Sequence, residues 1–128
     1  MPYIDGFVLA VPLANKDKFI AHARELDEYF LEYGATRVVE CWGDDLQHGK
    51  QTDFFRSVEA KEDETVCFSW IEWPDKETRD RQMGLLMELM KNDPRFDPAT
   101  NPPPFDGKRM IFGGFDAVVE LTGNASGE

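Results

Sequence analysis

The chain has 128 residues, a formal net charge of -11, 41% hydrophobic and 30% charged residues. That length is a single domain, and it can bury a core without disulfides or metal. The acidic balance argues against nucleic acid and anionic lipid as partners, since both demand Lys and Arg patches. No uncharged apolar run approaches the ~18 residues of a membrane span.

Tyr3–Val11 reads as a first strand, ended by Pro12. Asp5 inside this apolar run, and the lack of a basic segment before it, separate it from a signal peptide. Asn15 is the expected N-cap of a helix reaching Tyr33. Phe19, Ala23, Leu26, Phe30 and Tyr33 recur at helical spacing, His22 falls beside the solvent face, and Gly34 suits the position after the helix. Thr36–Trp42 is a second strand, followed by the polar excursion GDDLQHGKQT. Asp53–Ala60 reads as extended again, either continuing the second strand or forming one of its own, and pairing antiparallel with the next strand.

Thr65–Trp73, TVCFSWIEW, is the most apolar stretch, with acidic turn-like sequence on both sides. Such a run is a strand buried on both faces, in the middle of a sheet. Pro74 breaks it, and Asp75 caps a second helix to Lys91. Met83, Leu86, Leu89 and Met90 form that helix's apolar face, with Arg79 elsewhere on its surface. Pro94–Asp106 is a Pro-rich loop pinned by Phe96 and Phe105, read as a lid or an ordered wrap. Lys108–Leu121 is the last strand, with Gly113-Gly114 marking a bulge or bend. Residues 1–121 form the domain and 122–128 a frayed tail.

The order of elements is β-α-β twice. This is the α+β, ferredoxin-like βαββαβ plan with an antiparallel sheet. Its helices cover one face only, and the other should be polar where it meets water. Here both faces are apolar. The first strand offers Tyr3, Phe7, Leu9 and Val11 on one side, and Ile4, Val8 and Ala10 on the other. The chain has no spare helix for the open face, so a homodimer, sheet against sheet, is expected.

IDGFVLAVP, GATRVVECWGDD, TDFFRSVEA…VCFSWIEWPDKETRD and PFDGKRMIFGGF together resemble the YbaA-like family of uncharacterised bacterial proteins, from Tyr3 to about Glu120. The resemblance implies a ferredoxin-like dimeric α/β barrel and no particular activity. The wider superfamily of such barrels includes cofactor-free monooxygenases, haem-degrading enzymes, isomerases and proteins without assigned catalysis. Its haem-degrading members use an axial histidine on the second helix. Residues 75–91 contain none, which disfavours that branch.

Polar residues embedded in apolar strands are the informative ones: Asp5, Arg37, Glu40, Glu72, Arg109 and Asp116. Burying each is costly unless its charge is paired. If several point inward, they form a polar pocket walled by Trp42, Trp70 and Phe112, suited to a small organic ligand. Glu40 or Glu72 is then a general acid or base, beside Arg37 or Arg109 holding an oxyanion. The competing reading is a salt-bridge network. Asp44, Asp45 and His48 form a weak metal candidate in a solvated loop, so no metal is expected. No cofactor loop is present. Cys41 and Cys67 read as buried thiols of a cytoplasmic protein. The expectation is a cytoplasmic homodimer that binds a small molecule. A cofactor-independent monooxygenase or isomerase, or a non-catalytic interaction or stress module, remain as alternatives.

Overall fold

The structure, a computed structural model, describes residues 1–123. Four strands and three helices follow in the order β1 (Tyr3–Pro12), α1 (Lys16–Glu32), β2 (Arg37–Trp42), α2 (Phe54–Ser57), β3 (Glu64–Trp73), α3 (Lys76–Asn92) and β4 (Ile111–Asp116). The sheet is antiparallel, ordered β2-β3-β1-β4, so β3 and β1 are central. This is the ferredoxin-like arrangement expected. The most apolar stretch lies in the centre because only there are both its neighbours strands.

Pleating decides what each strand residue meets. The odd residues of β1 and β3 face the helices. Tyr3, Phe30, Ile71, Trp73 and Leu86 form one part of the core, and Leu9, Val11, Phe19 and Cys67 another. The α1 stripe anticipated from Phe19, Ala23 and Phe30 is buried as its spacing requires. Gly34 ends the helix at φ +113°, a backbone conformation that a side chain would strain. Asp75 caps α3 by accepting from the Thr78 backbone N–H at 2.7 Å.

Several expectations fail, each for a local reason. Asn15 does not cap α1. Its Nδ2 donates instead to the Pro104 carbonyl at 2.9 Å, tying the helix start to the Pro-rich loop. Asp53–Ala60 is not a strand. Asp53 accepts from the Arg56 backbone N–H at 2.8 Å and starts the one-turn helix α2. The Arg56 side chain bonds Asp53 and the carbonyls of Gln51 and Gly49, which folds the whole excursion onto itself. The β3 edge expected for this segment is occupied by β1 on one side and β2 on the other.

The last strand is shorter than expected, because Gly107–Arg109 is a 3-10 turn and pairing ends at Asp116. Gly113-Gly114 makes no bulge: the register runs unbroken, with Gly6 opposite Gly113 and Asp5 opposite Gly114. These glycines serve close approach. A Cβ on Gly114 would lie 2.2 Å from the Tyr3 hydroxyl oxygen, and the Phe115 ring packs 3.4 Å from where a Cβ on Gly6 would be. Residues 117–123 carry no regular structure, and the rest of the expected tail lies outside the described residues.

The open face is not wholly bare. Leu46, Phe55, Val58 and Ala60 of the excursion pack on Val8, Ala10 and Val66 and cover one end of it. The excursion thus supplies the cover that the chain was expected to lack. Beyond it lies an apolar trough of about 670 Å³, lined by Ile4, Val8, Phe68, Trp70, Ile111 and Phe115 among others.

Candidate functional site

The polar strand residues singled out in the sequence go to three different places. Asp5 is 4% exposed on the helix side of β1. It accepts from Trp73 Nε1 at 2.9 Å and from Arg79 Nε and Nη2 at 3.1 and 2.8 Å. Arg79 comes from α3, and its guanidinium also lies 5.1 Å from the Tyr3 ring centroid. Both carboxylate oxygens of Asp5 are thus engaged by the scaffold.

Arg109 is also fully engaged. It makes a bidentate pair with Glu64 at 2.8 Å on each arm, and further bonds to the Glu59 carbonyl and Asp106. This clamp joins the excursion, the start of β3 and the turn before β4. The guanidinium holds the Glu64 carboxyl down at about 2.

Glu72 and Arg37 lie on the open face, 3.4 Å apart, and Glu72 also accepts from Trp70 Nε1 at 2.9 Å. Trp42 is on the helix side, with its ring centroid 5.9 Å from that of Phe19 and Lys16 above it. Phe112 lies on edge strand β4, stacked on Phe7 at 6.3 Å and 72% exposed. Asp116 is exposed at the strand's end. Arg37, Glu72 and Phe112 therefore do not converge with Glu40 in one pocket around an Arg, while Trp70 borders both the open-face trough and the cavity that Glu40 lines.

Glu40 does line a pocket, with different company. A cavity of about 140 Å³ lies between α1 and the sheet. Its walls are mainly apolar: Phe7, Leu9, Phe19, Ala23, Leu26, Phe30, Val38, Trp70, Ile71, Phe105 and Met110. Four polar residues share it: His22 and Asp27 from α1, Glu40 from β2 and Ser69 from β3. Glu40 and Ser69 are directly opposite in the β2–β3 register, so their side chains share one face. Asp27 meets Glu40 side chain to side chain. Two carboxylates in hydrogen-bond contact need a proton between them. Burial and the Glu40 contact accordingly raise the Asp27 carboxyl far above the usual carboxylate range.

The loop closes this cavity at one end. Phe105 packs edge-on to Phe19 at 6.3 Å and to His22 at 5.8 Å. Phe96 meets Tyr29 at 5.3 Å, so both expected pins hold. Outside the acid pair, a second groove of about 310 Å³ is lined by Phe19, Ile20, Ala23, Arg24, Asp27, Glu40 and Trp42. Asp27 and Glu40 thus border both the inner cavity and a solvent-facing groove.

Sequence reasoning found Glu40 but missed Asp27, His22 and Ser69. Asp27 carried a signal: Phe19, Ala23, Asp27 and Phe30 follow the 4-4-3 spacing of an inward stripe, and an acid there is out of place. Helical spacing sets His22 beside the solvent face. The structure half-buries it against Phe105, and burial lowers its pKa, against the opposing effect of Glu25 and Glu40. No metal-binding group of three or more His, Cys, Asp or Glu forms among the described residues. Cys41 and Cys67 are free, and burial pushes the Cys67 thiol up to about 12, far from a reactive thiolate.

A ferredoxin-like α+β domain with a half-buried Asp27 on its first helix facing an exposed Glu40 on its edge strand, at the rim of an apolar cavity, is the class that fold and cavity define. More particularly, the chain belongs to the family of proteins of unknown function DUF1428, which it matches over residues 2–107. It is 48% identical over 120 residues to the uncharacterised protein YbaA of Escherichia coli K12, covering 94% of this chain and 99% of that one. The YbaA protein of Shigella flexneri matches with the same figures. Among solved structures, a dimeric ferredoxin-like protein from an uncultured marine organism superposes with a TM-score of 0.59 at 12% identity. That match covers 94% of this chain and all of the other, and it shows the shared fold.

Proposed function

We propose that the protein is a cytoplasmic homodimer, joined through the open sheet face, that binds a small organic molecule in the cavity between α1 and the sheet. The convergence of His22, Asp27, Glu40 and Ser69 on one apolar cavity carries this reading. A mostly apolar hollow with a few converging polar groups is the usual form of a small-molecule site. A cavity near 150 Å³ accommodates a benzene-sized guest, which bounds the ligand to roughly that size. A non-catalytic interaction module would fill this space with side chains. The free thiols fit a reducing compartment. No helix among the described residues is long and apolar enough to cross a membrane.

The dimer rests on the uncovered trough. Phe68, Ile111 and Phe115 are 45%, 46% and 61% exposed there, an apolar surface that a second copy would bury. The fold neighbour described as dimeric agrees with this. Light scattering at micromolar concentration should give twice the chain mass, and Ile111→Glu should shift it to the monomer with the circular dichroism retained. A native monomer would refute the dimer. For the site, saturation-transfer NMR with small cyclic ketones and phenols should show binding that the cavity-filling Ala23→Leu weakens at least tenfold. Absence of binding, or binding indifferent to Ala23→Leu, would refute the site.

A further inference from the structure

Resting on that binding site, we infer that the cavity catalyses proton transfer at a carbon next to a carbonyl, in a small, mainly apolar cyclic ketone or enone, with Glu40 as base and Asp27 and Ser69 as donors to the oxygen. Three observations on the cavity wall point there. Asp27 and Glu40 line the same cavity and the same outer groove, and burial and the Glu40 side chain raise the Asp27 carboxyl, so a carboxylic acid faces a second acid across the site. Ser69 is 5% exposed, lines the same cavity and stands directly opposite Glu40 in the β2–β3 register. No Lys or Arg lines the inner cavity, so nothing cationic quenches the carboxylate on that side.

A carboxylate base with a neutral acid as hydrogen-bond donor is a pattern suited to enolate chemistry. The size of the hollow restricts the substrate to about one six-membered ring. The acidic pair disfavours an anionic substrate.

The step balances without a cofactor. Glu40 removes the α-proton: a C–H bond breaks, an O–H bond forms, and the electron pair moves onto the carbonyl oxygen. Glu40 is then neutral, which frees the Asp27 O–H from it. Asp27 and Ser69 donate hydrogen bonds to the enolate oxygen, where the charge develops. Glu40 returns a proton to the same carbon or to the conjugated one, and the carbonyl and the acid pair are restored. Nothing is oxidised or reduced. The pair also borders the outer groove, where the Glu40 proton can exchange with water before it is returned.

Cyclohexanone in deuterium oxide tests this directly, with the loss of its α-proton signal followed by NMR at neutral pD. The intact protein should accelerate exchange at least 100-fold over buffer, with saturation in ketone. A positioned base contributes ~10²–10⁴-fold, so Glu40→Gln should remove that much while ketone binding persists. Ser69→Ala should lower the exchange rate about tenfold with little change in binding. If cyclohexanone binds by saturation transfer but exchanges at the buffer rate, the catalytic inference is overturned and the binding site stands. If exchange survives Glu40→Gln, the assignment of the base is overturned. If cyclohexanone does not bind, the substrate class and the inference are both overturned, and phenol binding then decides whether a ligand site remains.

Discussion

Two aspartates under the same helix-covered face make the instructive contrast. Asp5 is buried against a cation and a donor: Arg79 reaches it with two N–H groups and Trp73 with one. Asp27 is set against another acid, Glu40, in a cavity whose polar residues include no lysine or arginine. The first arrangement satisfies a charge and joins β1 to α3. The second leaves Asp27 half-buried beside an exposed acid, with its carboxyl raised by burial and by Glu40. A protein retains such a disfavoured pair where chemistry uses it more readily than where structure does. The difference also shows that embedding in an apolar strand does not by itself mark a functional carboxylate. What faces the carboxylate decides.

The largest effect should come from breaking the satisfied aspartate. Arg79→Met leaves Asp5 buried with its main counter-charge gone, and should cost about 3–5 kcal/mol in urea unfolding. A loss under about 1 kcal/mol would place Asp5 outside the scaffold. Next is the clamp of Glu64 on Arg109. The depressed Glu64 carboxyl, near 2 against about 4.5 in the unfolded chain, contributes stability that is complete above the unfolded value. That stability, about 3 kcal/mol by linkage, is lost as pH falls from about 4.5 to about 2. Thermal unfolding across that window should show the loss, and Arg109→Met should remove most of this acid sensitivity.

The smallest effect has the opposite sign. The Asp27 carboxyl is raised to about 9, so between the ordinary carboxylate range and that value the folded state binds more protons than the unfolded. Stability therefore falls as pH rises through this window. Asp27→Asn removes the titration and should stabilise the protein by about 1–2 kcal/mol at pH 8, a figure kept modest because the pair opens to solvent on one side. Chemical denaturation at pH 5 and pH 8 should show the native slope flattened in the variant. Destabilisation at pH 8 would mean that Asp27 is as structural as Asp5.

Much of the scaffold was legible because its signals are local. Phe19, Ala23 and Phe30 declare a helix face by spacing alone, and Asp75 and Gly34 mark helix ends by the chemistry of unpaired backbone groups and positive φ. Asp53–Ala60 misled because β-branched and aromatic residues there suggest a strand, whereas Asp53 and Arg56 close a turn that outweighs propensity. The glycines of β4 suggest a bulge by composition, but Gly114 answers to the Tyr3 ring on the neighbouring strand and Gly113 lies beside Phe115 of its own strand. For the site, Glu40 was legible as an acid in a strand. Its partner Asp27 was legible only by its place on the inward stripe of α1, a signal masked by the many acidic neighbours that make it resemble a solvated charge.

The sequence by itself determined the order and type of the main elements, the central place of Thr65–Trp73 and the apolar character of both sheet faces. These follow from periodicity and punctuation, which depend on residues close in the chain. Only the tertiary structure decided that Asp5 belongs with Arg79, 74 positions away, that Arg109 belongs with Glu64, and that Asp27 meets Glu40 over a cavity. Pairing of charges depends on where helices land on the sheet, and with 25 acidic and 14 basic residues the sequence permits many pairings. Packing selects among them, and it left one acid beside another.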